Sequence, residues 1–218
     1  MQTLTEKVWN LNPPDGLFNK TVLSNLFPSV KENALKFLIN KSLRHKEIIR
    51  LKPNMYCLSE KYRRSDPHPF VVAGMLLSPS YVSLESALWH HDLIPEALFQ
   101  VGCMTTLRTR TYRNPLGTFS YYSIASKNFK AGVRAVRFKG RGWAFMAEPL
   151  RAIADMIYLN KKVSWDKEKL DYLVVSLRIE KDRLKEISMK NYNEISDSMT
   201  NRRVRDYLFN LKKAIKHV

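Results

Sequence analysis

The 218-residue chain is 44% hydrophobic and 11% aromatic, which excludes a disordered or fibrous polymer and suffices for one large core or two modest ones. Its 37 Lys+Arg stand against 20 Asp+Glu, a formal net charge of +17 that suits a polyanionic partner, because each neutralised phosphate releases counterions. No apolar run reaches membrane-spanning length, and the start, Met1-Gln2-Thr3-Leu4-Thr5-Glu6, lacks the basic-then-apolar order of a signal peptide, so a cytoplasmic protein is expected, with Cys57 and Cys103 as separate buried thiols.

The polar stretch Lys61 to Pro69 holds two prolines and predicts a boundary between a unit of residues 1–65 and a unit of residues 66–218. In the first unit, residues 3–10 read as a short helix and Pro13-Pro14-Asp15-Gly16 as a turn. Thr21 to Phe27 reads as a short apolar helix stopped by Pro28. Ser29 then has the spacing of a capping-box N-cap, with Glu32 three positions on, opening a helix that runs to about His45. Leu35, Leu38, Ile39, Ser42 and Leu43 form its apolar face, and Asn33, Lys36, Asn40 and Arg44 the opposite one, with Lys41 beside them. Two β-prone runs, Lys46–Leu51 and Met55–Leu58, flank Lys52-Pro53-Asn54 and predict a hairpin. A short helix, a tight turn, an amphipathic helix and a basic hairpin together predict a winged helix-turn-helix.

In the second unit, Pro67 to Leu76 reads as a helix, and Ser83 to His91 as another with Ser83 as N-cap. Residues 101–112 and 117–124 read as paired strands around Arg113-Asn114-Pro115-Leu116-Gly117, and Val133 to Phe138 as a strand ended by Gly140-Arg141-Gly142. Pro149 occupies a helix N1 position, with Leu150, Ile153, Ala154 and Ile157 as the buried stripe. The tail reads as all-helical. Leu170, Leu173, Val174 and Leu177 make one stripe, and Val204, Tyr207, Leu208, Leu211 and Ile215 another. The expected class is α+β, a winged helix followed by a larger mixed domain with a helical C-terminal tail.

The polar face of the 29–45 helix carries the side chains that read base edges: Asn pairs with adenine, and Arg or Lys with guanine, in the major groove. Asn33, Lys36, Asn40 and Arg44 are assigned to base readout, and Lys41, Arg50 and Lys52 to phosphate contacts. An ordinary solvated helix face often holds Lys and Asn too; the adjoining basic hairpin favours DNA. Between Val101 and Ala147 lie Arg108, Arg110, Arg113, Lys127, Lys130, Arg134, Arg137, Lys139 and Arg141, with no Asp or Glu. Arg108 and Arg110 are expected on one face of one strand. The segment also carries Tyr112, Phe119, Tyr121, Tyr122, Phe129 and Trp143, for most of which core packing is the simpler account. Arginine-defended edge strands would explain the charges, but a purely solvated surface intersperses both signs, so a second basic surface is expected here.

Signs of an enzyme are few. His90 and His91 are adjacent, about 100° apart on a helix, and cannot ligate one metal from one face. Glycine-rich phosphate loops and H-E-x-x-H are absent, and acids such as Asp166, Glu168, Asp171, Glu180 and Asp182 are scattered rather than clustered as in a metal-dependent nuclease. No catalytic residue, metal or cofactor is expected.

The block Tyr81-Val82-Ser83-Leu84-Glu85-Ser86-Ala87-Leu88-Trp89-His90-His91-Asp92-Leu93-Ile94-Pro95-Glu96 resembles the AbiEi-type antitoxins of abortive-infection systems. The order of features is similar as well: a basic hairpin closing on a Tyr, strands with Gly117-Thr118-Phe119-Ser120-Tyr121, then an Ala147-Glu148-Pro149-Leu150 helix start with Asp155 near the helix middle. The resemblance covers nearly the whole chain and is most specific at Ser83–Leu88. It implies an antitoxin that represses its own operon at inverted repeats in promoter DNA, as a monomer in solution or a dimer on DNA. It also implies a functional partner, a nucleotidyltransferase toxin, counteracted without a stable complex. One departure is the wing tip Pro53-Asn54-Met55-Tyr56, where Asn54 stands in for the usual Gly; Asn tolerates the left-handed conformation. The alternative is an interaction protein whose 101–147 basic surface binds RNA or the toxin.

Overall fold

Capping and turn chemistry set the first elements. The computed structural model describes residues 3–95, 99–139 and 141–215, so Met1, Gln2, Glu96 and Gly140 of the passages above lie outside the described residues. Helix α1 (Leu4–Leu11) starts in a capping box: Glu6 N donates to Thr3 Oγ1 (3.1 Å) and Thr3 N to Glu6 Oε2 (2.7 Å). Strand β1 (Leu17–Asn19) leads into α2 (Lys20–Leu26), capped by Asn19 Oδ1 accepting from Val22 N at 2.9 Å. Pro28 and Ser29 then form the turn before α3 (Glu32–Arg44). Ser29 is therefore not the N-cap. Val30 N donates to Phe27 O (3.0 Å), which holds Ser29 inside the turn, and Glu32 pairs with Lys20 instead of closing a capping box.

Strands β2 (Ile48–Lys52) and β3 (Met55–Leu58) form the expected hairpin, with Asn54 left-handed at φ 63°. Strand β1 adds to β3, giving the order β1-β3-β2. Alternation along these strands gives the sheet two buried faces. Phe18, Ile48, Tyr56 and Leu58 pack with Leu4, Val8, Leu23, Phe27, Leu35 and Ile39 of the three helices. Leu17, Leu51, Met55 and Cys57 belong to the larger core of the following residues.

That larger core surrounds a six-stranded mixed sheet. Helix α4 (Pro69–Leu76) precedes β4 (Ser80–Val82), and α5 (Leu84–His90) follows it. Next come β5 (Val101–Thr105), β6 (Arg110–Asn114), β7 (Gly117–Ser123), β8 (Val133–Arg137) and β9 (Trp143–Ala147), in the sheet order β6-β7-β5-β4-β9-β8. The expected 101–112 strand is two strands: residues 106–109 break the ladder, and β5 pairs β7 in parallel while β6 pairs it antiparallel. Strands β1, β4 and β9 are too short or too unbroken in apolarity to show alternation. Helix α6 (Pro149–Leu159) has Pro149 in its first turn and is buried all round from Leu150 to Ile157, not along one stripe.

The tail is helical in short pieces: α7 (Trp165–Glu168), a π turn (Tyr172–Ser176), α8 (Lys181–Lys185) and α9 (Tyr192–Ser198), then the longer α10 (Arg202–Ile215). Val204, Tyr207, Leu208 and Leu211 of α10 are buried. Arg203 fastens the tail to α6, donating to Ile157 O (2.9 Å), Asn160 O (3.1 Å) and Val163 O, and so satisfies carbonyls that a helix end leaves open. The protein is a mixed α+β molecule with two sheets, and no described helix is long and apolar enough to cross a membrane.

Candidate nucleic-acid interface

The amphipathic reading of α3 holds in three dimensions. Leu35, Ile39 and Ser42 are buried, Leu38 and Leu43 half-buried, while Asn33, Lys36, Asn40, Lys41 and Arg44 are exposed. Phe37, an apolar residue off the buried stripe, is 60% exposed in the middle of that polar face. Asn33, Phe37, Asn40 and Arg44 follow at i, i+4, i+7 and i+11, one line along the helix. Phe37 belongs to neither face assigned from sequence; its spacing, in line with Asn33, Asn40 and Arg44, is the signal that marks it.

One acid sits at the start of this face. Glu32 Oε1 lies 2.7 Å from Lys20 Nζ and 3.5 Å from Lys36 Nζ, and the Lys20 hydrogen bond holds the Glu32 carboxyl below its usual range. The basic last turn, Lys41 and Arg44, lies where cations complement the helix dipole.

The hairpin behaves differently from a free loop. Arg50 is exposed, with its guanidinium 5.9 Å from the Tyr56 ring centroid. Lys52, assigned to phosphate, is half-buried instead: its Nζ donates to Leu76 O at 2.6 Å and lies 5.9 Å from the Tyr112 ring centroid. The physical reason is the junction. Strand β2 lies against β6, and Asn114 Nδ2 donates to Leu51 O at 3.3 Å, so the hairpin end is packed on the second unit.

The acid-free segment does not form one surface. Arg110 and Arg113 lie on β6, and Arg134 and Arg137 on β8, the two outer strands of the six-stranded sheet. Five strand spacings, roughly 24 Å, separate them. Arg108 lies in the exposed link between β5 and β6, so it does not share a strand face with Arg110. Arg108, Arg110 and Arg113 stand on the side of the hairpin; Arg134, Arg137, Lys139 and Arg141 stand on the far edge. Lys127 and Lys130 are exposed in the link before β8. Of the aromatics, Phe119 and Tyr121 are core residues, Tyr112, Tyr122 and Phe129 half-buried, and Trp143 exposed.

The most ionic buried cluster is enclosed. Arg151 and Asp155, one turn apart on α6, have fully buried side chains 3.0 Å apart. Asp155 Oδ2 accepts from Tyr81 OH (2.9 Å) and Ser83 Oγ (2.7 Å), and Arg151 donates to Tyr81 OH (2.6 Å) and Ala131 O (2.8 Å). Ser83 precedes α5, but its hydroxyl serves Asp155 and not the helix end. Burial, the largest influence, pushes the Asp155 carboxyl above its usual range against the pull of Arg151 and the two hydroxyls. Ser86, three residues on, accepts from Gly102 N at 2.9 Å and ties α5 to β5. Each of these partners is internal, so Tyr81, Ser83 and Ser86 position the fold, while Glu85 of the same block is exposed. His90 and His91 meet edge-on (5.3 Å), with His91 Nε2 3.0 Å from Ala147 O, and among the described residues no group of three or more His, Cys, Asp or Glu could hold a metal.

Neither a protein-family model nor a curated protein matches this chain.

Proposed function

We propose that residues 3–58 form a winged helix-turn-helix that reads double-stranded promoter DNA through α3. The observation that carries this reading is the uncovered face of α3, where Asn33, Lys36, Asn40 and Arg44 reach solvent while the opposite face docks. Its support is the element order α1-β1-α2-α3-β2-β3, with α2 and α3 joined by a short turn at Pro28 and Ser29. Lys41 and Arg50 serve phosphates, and Arg110 extends the basic track beside the hairpin, whereas Arg113, three residues on along β6, faces the other side of the sheet. Lys52, committed to Leu76 O, has no part in it.

The resemblance at Tyr81–Leu88 and its partner Asp155 supports the fuller reading, an AbiEi-type antitoxin that represses its own operon and counteracts a nucleotidyltransferase toxin. Binding at inverted repeats requires half-sites spaced by about 10 bp or multiples of it. The test is footprinting on the promoter upstream of the gene. The Lys36→Ala and Arg44→Ala variants are expected to lose about tenfold or more in affinity each and to relax base preference at their positions. Footprints that both variants leave unchanged would remove α3 from the interface.

A further inference from the structure

The far edge of the six-stranded sheet carries a feature that DNA reading by α3 leaves unused. Strands β4 and β5 are buried along their whole length, but one face of β8–β9 is exposed at Ala135, Arg137, Trp143 and Phe145, closing over only at Val133 and Ala147. On that face Trp143 is 56% and Phe145 42% exposed, their ring centroids 5.0 Å apart and their planes at 83°. They stand two residues apart on one strand, so both project to the same side. The residues directly across on β8 are Arg137 opposite Trp143 and Ala135 opposite Phe145. Cross-strand partners share a face, which puts Arg137 on the same side of the sheet as the indole and a small side chain across from the phenyl ring. An open depression of about 570 Å³ is lined by Ala135, Arg137, Phe138, Gly142 and Trp143.

Trp143 and Phe145 differ from the chain's other exposed apolar side chains in standing together as a ring pair, an apolar patch available for contact. The charge around them says with what. Arg137, Lys139 and Arg141 are exposed and, among the described residues, form no ion pair, while Arg134 lies on the other face of β8 and is spent on Glu148 at 2.8 Å. No acid occurs from Val101 to Ala147. Paired aromatic planes flanked by unpaired cations suit bases that are free to stack and phosphates that need neutralising. A duplex hides its base faces, so the ligand must be single-stranded, and single strands in a cell are overwhelmingly RNA.

We propose that the β8–β9 face is a binding site for single-stranded RNA, with Trp143 and Phe145 as the stacking platform and Arg137, Lys139 and Arg141 as phosphate contacts. Two rings at right angles form a corner in which a base stacked on one meets the edge of the other. The site is independent of α3: it lies on the far edge of a different sheet from the hairpin.

The full-length protein and a fluorescently labelled 12-mer oligoadenylate RNA test this by anisotropy. Binding is expected, and Trp143→Ala should weaken it about tenfold or more, Trp143→Phe much less, and Arg137→Gln should flatten its salt dependence. The Lys36→Ala/Arg44→Ala variant should bind this RNA like the parent, which separates the proposal from the DNA reading. Because Trp143 is already exposed, its substitution should leave the melting temperature in place; if Trp143→Ala fails to fold, Trp143→Leu against Trp143→Phe makes the same comparison. Equal binding by Trp143→Ala and the parent overturns the proposal, as does equal affinity for a 12-bp RNA duplex or tighter binding of the matching DNA 12-mer. So does a dimer in light scattering that Trp143→Ala/Phe145→Ala converts to monomer, since a second copy would then own the face.

Discussion

At the scale of single residues, the Arg151–Asp155 pair shows how much a buried charge depends on its partners. Each ion has lost its water, and the lost hydration is offset only while the other ion and the Tyr81 and Ser83 hydroxyls stay in place. Asp155→Leu is expected to cost about 3–5 kcal/mol, because Arg151 is left buried and unpaired. Arg151→Met with Asp155→Leu should cost well below the sum of the single changes. Urea denaturation of the three variants measures this; strict additivity would mean the pair is not coupled. A second residue carries a pH signature. His68 stacks on Phe138 at 3.8 Å and its Nδ1 accepts from Phe70 N at 3.2 Å, and burial, then Arg141 and His90, hold its pKa below the usual histidine value. The folded state thus disfavours the proton that the unfolded chain accepts at about pH 6.5. Stability from His68 is full above that pH and declines as the pH falls below it. His68→Asn keeps an acceptor for Phe70 N and does not titrate, so its melting temperature should fall less than the parent's between pH 7.5 and 5.5. Parallel melting curves would show that His68 binds its proton equally in the folded and unfolded states.

At the scale of elements, α3 is the part most fully legible from sequence and still incomplete. The 3.6-residue period separated its docked face from its free face correctly, because burial of Leu35 and Ile39 fixes the helix rotation. Its start was misplaced: Ser29 and Glu32 had capping-box spacing, but Pro28 draws Ser29 into a turn and Lys20 competes for Glu32. That competition has a consequence for the proposed DNA contact. Glu32 neutralises Lys20 and Lys36 at the free face and repels phosphate. Glu32→Gln should tighten operator binding severalfold and steepen its salt dependence, measured as the slope of log affinity against log salt concentration. Unaltered affinity and slope would place the helix N-terminus outside the interface. For the same proposed contact, Phe37 carries the opposite expectation. Its exposed ring is of the type that meets thymine methyl groups, so Phe37→Ala should leave the melting temperature unchanged and weaken operator binding about tenfold. Equal affinity would make Phe37 a bystander.

At the scale of the whole molecule, the prolines near residue 67 predict a boundary, and the residue patterns anticipate β2, β3, β7 and β8 but not β1, β4 or β9; periodicity also carries no information about which strands become neighbours. The acid-free run from Val101 to Ala147 read as one surface because it is contiguous in sequence; the order β6-β7-β5-β4-β9-β8 carries its ends to opposite edges. Lys52 read as a free wing cation because nothing local marks Leu76 O as its acceptor, 24 residues away. The same junction governs stability. Leu17, Leu51, Met55 and Cys57 are buried in the larger core, so one face of the small sheet is covered only in the full chain. Each large apolar side chain there is worth about 1.5–3 kcal/mol when buried, which for three of them is comparable to the whole stability of a small domain. A fragment of residues 1–65 should therefore unfold at a markedly lower urea concentration than the full chain, whose unfolding should be a single transition by both tryptophan fluorescence and circular dichroism. Leu51→Lys with Met55→Gln should raise the fragment's midpoint or solubility and lower that of the full chain, because the exposed face of one is the interior of the other. A fragment as stable as the full chain, with these substitutions lowering both midpoints alike, would mean that the small sheet draws its stability from α1–α3 alone.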